Sequence, residues 1–121
     1  MIRTTCLSAL LAGCAIDAEA DYLDARAEAT CDQLQRCSLG FFDSEYSSEE
    51  DCASSVKKDL EDAADQLAEL DCTYDGAEAG RCVRRIRKMD CESFAEGDPN
   101  RACDLVYDCP AAPTGTTYGS N

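Results

Sequence analysis

Residues 47–70 read SSEEDCASSVKKDLEDAADQLAEL, and this stretch decides the fold class. Cys52, Val56, Leu60, Ala63, Leu67 and Leu70 recur at spacings of three and four, with acids and lysines between them. Only a helix gathers residues of that period on one side. Its start is written in the polar residues. Ser47 is expected to cap the third helical amide while Glu50 reaches back, a capping box, and Asp51 adds negative charge where the helix dipole favours it.

The same period appears on either side. Leu23, Ala27, Cys31, Leu34 and Cys37 form an earlier helical stripe. After residue 70, Asp75 and Glu78 stand as N-cap and N3 of a helix that turns Ala79, Cys82, Val83, Ile86 and Met89 inward. A last helix is expected to open at Asp98-Pro99, a cap followed by proline at N1, and to bury Ala102, Cys103, Val106 and Cys109. No segment alternates as a strand does. The connection SLGFFDSEY, Ser38 to Tyr46, carries Phe41 and Phe42, which are expected to cover the end of the first helical hairpin. The tail PAAPTGTTYGSN has no periodicity and reads as disordered. The expected fold is therefore all-α: a small disulfide-stapled bundle of about four helices with a disordered C-terminal tail.

Ten cysteines in 121 residues mark a disulfide scaffold of an oxidising compartment. Histidine is absent and there is no Cys-x-x-Cys pair, so the chelating loop of a zinc site is missing. The N-terminal stretch explains two of the ten. Arg3 and the α-amine precede a short apolar run, Leu7 to Ala12, which ends in Leu11-Ala12-Gly13-Cys14. These four residues resemble the lipobox of bacterial lipoproteins. The resemblance implies cleavage before Cys14, a diacylglycerol thioether on its sulfur and an acyl chain, such as palmitate, on its amine. Ala15 stands where an inner-membrane retention signal would place aspartate, so the resemblance favours the outer membrane. The expected organisation is a signal peptide over 1–13, a lipid-anchored tether over 14–20, a helical domain over 21–109 and the tail over 110–121.

Removal of Cys6 and modification of Cys14 leave eight cysteines: Cys31, Cys37, Cys52, Cys72, Cys82, Cys91, Cys103 and Cys109. An even number fits a closed framework. Cysteines six residues apart on one helix sit ~9 Å apart along its axis, which excludes Cys31 with Cys37 and Cys103 with Cys109. Cys37 with Cys52, each about one turn from the first hairpin loop, is the best expected pair. Cys91 with Cys103, Cys72 with Cys82 and Cys31 with Cys109 would complete the set. The segments TCDQLQRC and ACDLVYDC share a Cys-Asp-x4-Cys pattern, which duplication or chance would equally produce. Eight cysteines on helices also resemble plant lipid-transfer proteins in layout, but this chain lacks their Cys-Cys and Cys-x-Cys. Its layout looks more like the small cysteine-rich lipoproteins of Gram-negative bacteria.

Charge narrows the function. With 25 acidic and 11 basic residues the net charge is −14, which would repel nucleic-acid phosphates. The commonest general base is missing with histidine, and no serine or lysine stands in a catalytic motif, so no catalytic residue and no enzyme is expected. Asp71 to Gly76, DCTYDG, resembles the start of an EF-hand loop, but Cys82 occupies position twelve, where a bidentate glutamate belongs. No metal or cofactor is expected. Arg81, Arg84, Arg85 and Lys88 share one helical flank opposite Val83 and Ile86. That flank either pairs with Asp59, Asp62, Asp65 and Glu69 of the preceding helix or meets lipid headgroups or a partner. The expected function is a monomeric, non-enzymatic, lipid-anchored envelope module that is structural or binds another protein. A carrier of a small apolar ligand and a carboxylate-based enzyme are the alternatives.

Overall fold

The computed structural model describes residues 14–110. The expected signal peptide over 1–13 and residues 111–121 of the tail lie outside them. Six helices and one pair of two-residue strands make up the described chain: α1 (Glu19–Cys37), α2 (Leu39–Glu45), α3 (Glu49–Glu69), β1 (Thr73–Tyr74), α4 (Gly76–Lys88), α5 (Cys91–Ala95), α6 (Asp98–Ala102) and β2 (Tyr107–Asp108). The fold is all-α and disulfide-stapled, as the periodicities imply.

Helix α1 is central because it buries two faces. Leu23, Ala27 and Cys31 form the expected stripe, and Cys31 meets α3. Tyr22, Ala29 and Gln33 lie within about 40° of one another on a second face. That face meets α4: Tyr22 Oη lies 3.7 Å from Cys82 Sγ, and Gln33 Nε2 donates to the Ile86 carbonyl at 2.6 Å. The larger core joins Tyr22, Leu23, Ala29, Ala79, Cys82, Val83, Ile86, Cys103 and Val106, with Ala64 of α3. A smaller one joins Cys31, Phe42 and Cys52.

Local chemistry sets the boundaries, and two caps differ by one residue from expectation. Ser48, not Ser47, caps α3 by accepting from the Asp51 amide at 3.0 Å. Asp51, not Glu50, closes the box by accepting from the Ser47 amide at 2.9 Å. The shift follows from the SSEED run, which offers the cap pattern in two adjacent registers. Asp75 caps α4 through the Glu78 amide, as expected. Helix α6 starts at Asp98 behind Gly97, so Pro99 stands one residue further in than expected. Helix α3 ends in a Schellman motif. Cys72 donates to the Leu67 carbonyl and Asp71 to that of Ala68, with Asp71 at φ 61°, a position aspartate tolerates better than most residues.

Two expectations fail at the ends of the bundle. The Ser38–Tyr46 connection contains α2, whose Phe42 is buried while Phe41 stays half exposed. The last helix stops at Ala102, because the chain must turn to lay β2 antiparallel on β1, Tyr107 opposite Tyr74. The echo between TCDQLQRC and ACDLVYDC is thus no structural repeat: one segment is helix, the other turn and strand.

All eight expected cysteines are bridged among themselves, but every partner differs. The bridges are Cys31–Cys52, Cys37–Cys91, Cys72–Cys109 and Cys82–Cys103. Cys37 does not meet Cys52, because α2 fills the corner and α3 crosses α1 further back, against Cys31. Cys37 is left free to meet Cys91 at the start of α5.

Loop entropy and burial rank these bridges differently. The loop closed by Cys37–Cys91 spans 54 residues and that by Cys82–Cys103 spans 21, a difference of about 1 kcal/mol in favour of the former. Cys82 and Cys103 are buried in the main core, so truncating both leaves a cavity costing about 2 kcal/mol or more. Thermal unfolding of Cys82→Ala/Cys103→Ala is expected at lower temperature than that of Cys37→Ala/Cys91→Ala. The reverse order would show that loop length dominates.

The rings of Tyr22, Tyr74 and Tyr107 cluster with centroids 5.8–6.3 Å apart. Burial raises all three phenols above the ordinary tyrosine range, and at Tyr107 the hydrogen bond to Glu19 adds to it. The native state therefore holds protons that the unfolded state releases near pH ~10, so stability is intact below that pH and falls as pH rises above it. Phenolate absorbance of these tyrosines and loss of helical circular dichroism are expected to rise together. Full ionisation before any loss of helix would contradict their burial.

Candidate functional site

Two features of α4 concern function: what lies on its first turns, and what its basic flank faces. Gly76 and Gly80 are one helical turn apart, on one side of the helix. The chain from Cys14 to Asp17 lies across them. The Ile16 amide donates to the Gly76 carbonyl at 2.9 Å, and Tyr74 Oη donates to the Ile16 carbonyl. A Cβ at Gly76 would come within 2.7 Å of the Ile16 oxygen, and one at Gly80 would collide with the Cys14 carbonyl. The expected tether over 14–20 is therefore part of the body: residues 14–17 dock on α4, and α1 begins at Glu19. Cys14 is itself disulfide-bonded here, and a bridged sulfur carries no thioether.

The basic flank is not matched to α3. Helix α1 lies between the two, so Asp59, Asp62, Asp65 and Glu69 are not its partners. Asp62 instead accompanies Lys58 on its own helix at 3.8 Å. Arg81 pairs with Glu78 at 2.6 Å and Arg87 with Asp32 at 3.3 Å. Arg84, Arg85 and Lys88 line a groove of about 460 Å³, with Met89 and Ala102 among its apolar lining and Arg101 and Asp98 opposite. Arg101 lies 3.3 Å from Asp98, and Arg84 is engaged in an interaction of its own. Among the described residues, the side chains of Arg85 and Lys88 make no hydrogen bond or ion pair. Their place in the last turn also suits the negative end of the helix dipole.

Four cations thus surround one groove of a strongly acidic chain. Three of the four flank residues expected from sequence contribute, Arg81 does not, and Arg101 was missed. Nothing in the spacing of Arg101 could have announced it, because α6 is brought beside α4 by the Cys82–Cys103 bridge.

A second groove, of about 480 Å³, has Leu23, Leu60, Ala64 and Leu67 in its wall and Tyr107 and Cys109 at one side. It is open, with Arg26, Asn100 and Asp104 also in its lining. Among the described residues no cluster of three or more histidines, cysteines or carboxylates could hold a metal ion. Asp71–Gly76 forms the link from α3 through β1 to the α4 cap. Glu49 is raised by a hydrogen bond with the Asp32 carboxyl, but it sits on the open surface, outside any cleft. No family model, no curated protein and no solved structure matches the chain.

The glycine track can be tested directly. Alanine at position 80 favours helix by about 1 kcal/mol, so Gly80→Ala is expected to leave α4 intact while expelling residues 14–17. Hydrogen exchange at the Ile16 amide should accelerate while that within α4 does not. Unchanged protection at Ile16 would show that the segment tolerates a side chain there.

Proposed function

We propose that this protein is a lipid-anchored module of the bacterial envelope that works by binding another protein rather than by catalysis. The Leu11-Ala12-Gly13-Cys14 tetrapeptide carries the reading. The four bridges support it, because such a framework persists only in an oxidising compartment. Ala15 after the cysteine favours the outer membrane as the destination. The binding face is the outer side of α3, where Glu50, Asp59, Glu61, Asp62 and Asp65 are all exposed. A partner with a basic surface would complement it.

The thioether and the Cys14 bridge are alternative fates of one sulfur. Cytosolic thiols are kept reduced, so an exported precursor would reach the lipid-transferring enzyme with its thiol available. The open groove beside Leu60 and Leu67 supports a second reading, a carrier of a small apolar ligand, which a fluorescent fatty acid displaced by unlabelled lipid would reveal.

Metabolic labelling with a fatty-acid analogue tests the anchor. Label is expected on the wild-type protein and none on Cys14→Ser. Label persisting on Cys14→Ser, or an unlabelled wild type with Cys14 still bridged, would refute the lipoprotein reading.

A further inference from the structure

In a chain where acids outnumber bases by more than two to one, an unpaired cation is an anomaly. Lys57 has Asp24 at 2.8 Å, Lys58 has Asp62, Arg81 has Glu78, Arg87 has Asp32 and Arg101 has Asp98. Arg26 and Arg36 donate to Tyr22, Asn100, Gln33 and Met89. Arg85 and Lys88 stand apart from this pattern. They line the same groove as Arg84 and Arg101, and Asp98 is the one acid lining it. Asp98 is taken up by Arg101, so the side chains of Arg85 and Lys88 bring two positive charges to the groove with no carboxylate paired to either.

We infer that this groove is a binding site for the phosphoryl headgroup of an anionic membrane lipid. The charge answers to the phosphate: Arg85, Lys88 and Arg101 offer donors from two helices, and the guanidinium fork suits phosphate oxygens. The wall answers to the rest of a lipid, since Met89 and Ala102 give the glycerol and first methylenes an apolar surface. The position favours a bilayer over a soluble phosphate. The Cys14 main chain crosses α4 at Gly80, and Arg84 and Lys88 lie only ~6 Å and ~12 Å further along the helix. A chain acylated at Cys14 would hold the groove at the headgroup level, with the exposed acids of α3 across the central helix from it. This last step rests on the lipoprotein reading proposed above.

Vesicle co-sedimentation of the full chain, oxidised in vitro and bearing no acyl group, separates the two ideas. Binding to vesicles of equal parts phosphatidylcholine and phosphatidylglycerol is expected at low salt, with little on phosphatidylcholine alone, despite the net charge of −14. Arg85→Gln/Lys88→Gln should weaken it by roughly 30-fold, given the attraction each cation gains at an anionic surface. Lys57→Gln/Lys58→Gln, with the same change in net charge, should leave it within about twofold. Equal sedimentation on both vesicle types, or equal losses in the two variants, would overturn the site. Chemical-shift changes at Arg85 and Arg101 with inorganic phosphate, but no vesicle preference, would assign the groove to a soluble phosphate and overturn the lipid. Because no acyl chain is present, failure here leaves the Cys14 labelling experiment untouched, and the converse holds.

Discussion

Gln33 is the one polar side chain buried among the described residues, and the end of α4 depends on it. Its Nε2 donates to the carbonyls of Ile86 and Met89 at 2.6 and 2.7 Å, and its Oε1 accepts from Arg36. The last carbonyls of a helix lack their full set of partners within it, and here α1 adds donors: Gln33 to the Ile86 carbonyl, which also accepts from the Met89 amide, and Gln33 with Arg36 to that of Met89. With its carbonyls taken there, the chain leaves α4 at Met89, Asp90 caps α5, and Cys91 meets Cys37, one turn beyond Gln33 on α1. The placement of Met89 in the basic groove follows from the same contact.

Around that contact the core is thin, and sulfur supplies much of its bulk. Ala27, Ala29, Ala64 and Ala79 line the helix contacts, which lets the helices approach closely but removes little apolar surface from water. Of the large side chains that are fully buried, Tyr22, Ile86 and Val106 are accompanied by Cys31, Cys52 and Cys82. The bridges therefore act twice. They restrict the unfolded chain, and they fill the space a larger hydrophobic residue would otherwise occupy.

The long helices were legible because their apolar period persists over three to five turns, and the Asp75 cap because its pattern occurs in one register. The second buried face of α1 was not. Tyr22, Ala29 and Gln33 include one polar residue and one alanine, so no hydrophobic stripe marks them. Helix α2 and the strands are too short for a period to form. The disulfide partners were illegible for a related reason. Spacing tells which cysteines share a face, but pairing depends on which faces meet, and that is set by α1 lying between α3 and α4. The basic flank was legible as a flank, while its opposite wall, Arg101, came from a helix of five residues placed by a bridge.

What happens at Cys14 is independent of how its segment docks. Residues 14–17 are held by main-chain contacts, the Ile16 amide on the Gly76 carbonyl, the Tyr74 hydroxyl on the Ile16 carbonyl and the Cys14 backbone over Gly80, and by the Ile16 side chain packed against the main core. None uses the cysteine side chain. A bridge or a thioether at that sulfur can therefore replace the other without disturbing the seat on α4. Docked in this way, an acylated chain has no slack between lipid and body, because hydrogen bonding to α4 already begins at Ile16, two residues after the anchor. The orientation of the helices over a membrane would then be fixed by backbone hydrogen bonds, and not left to a flexible linker.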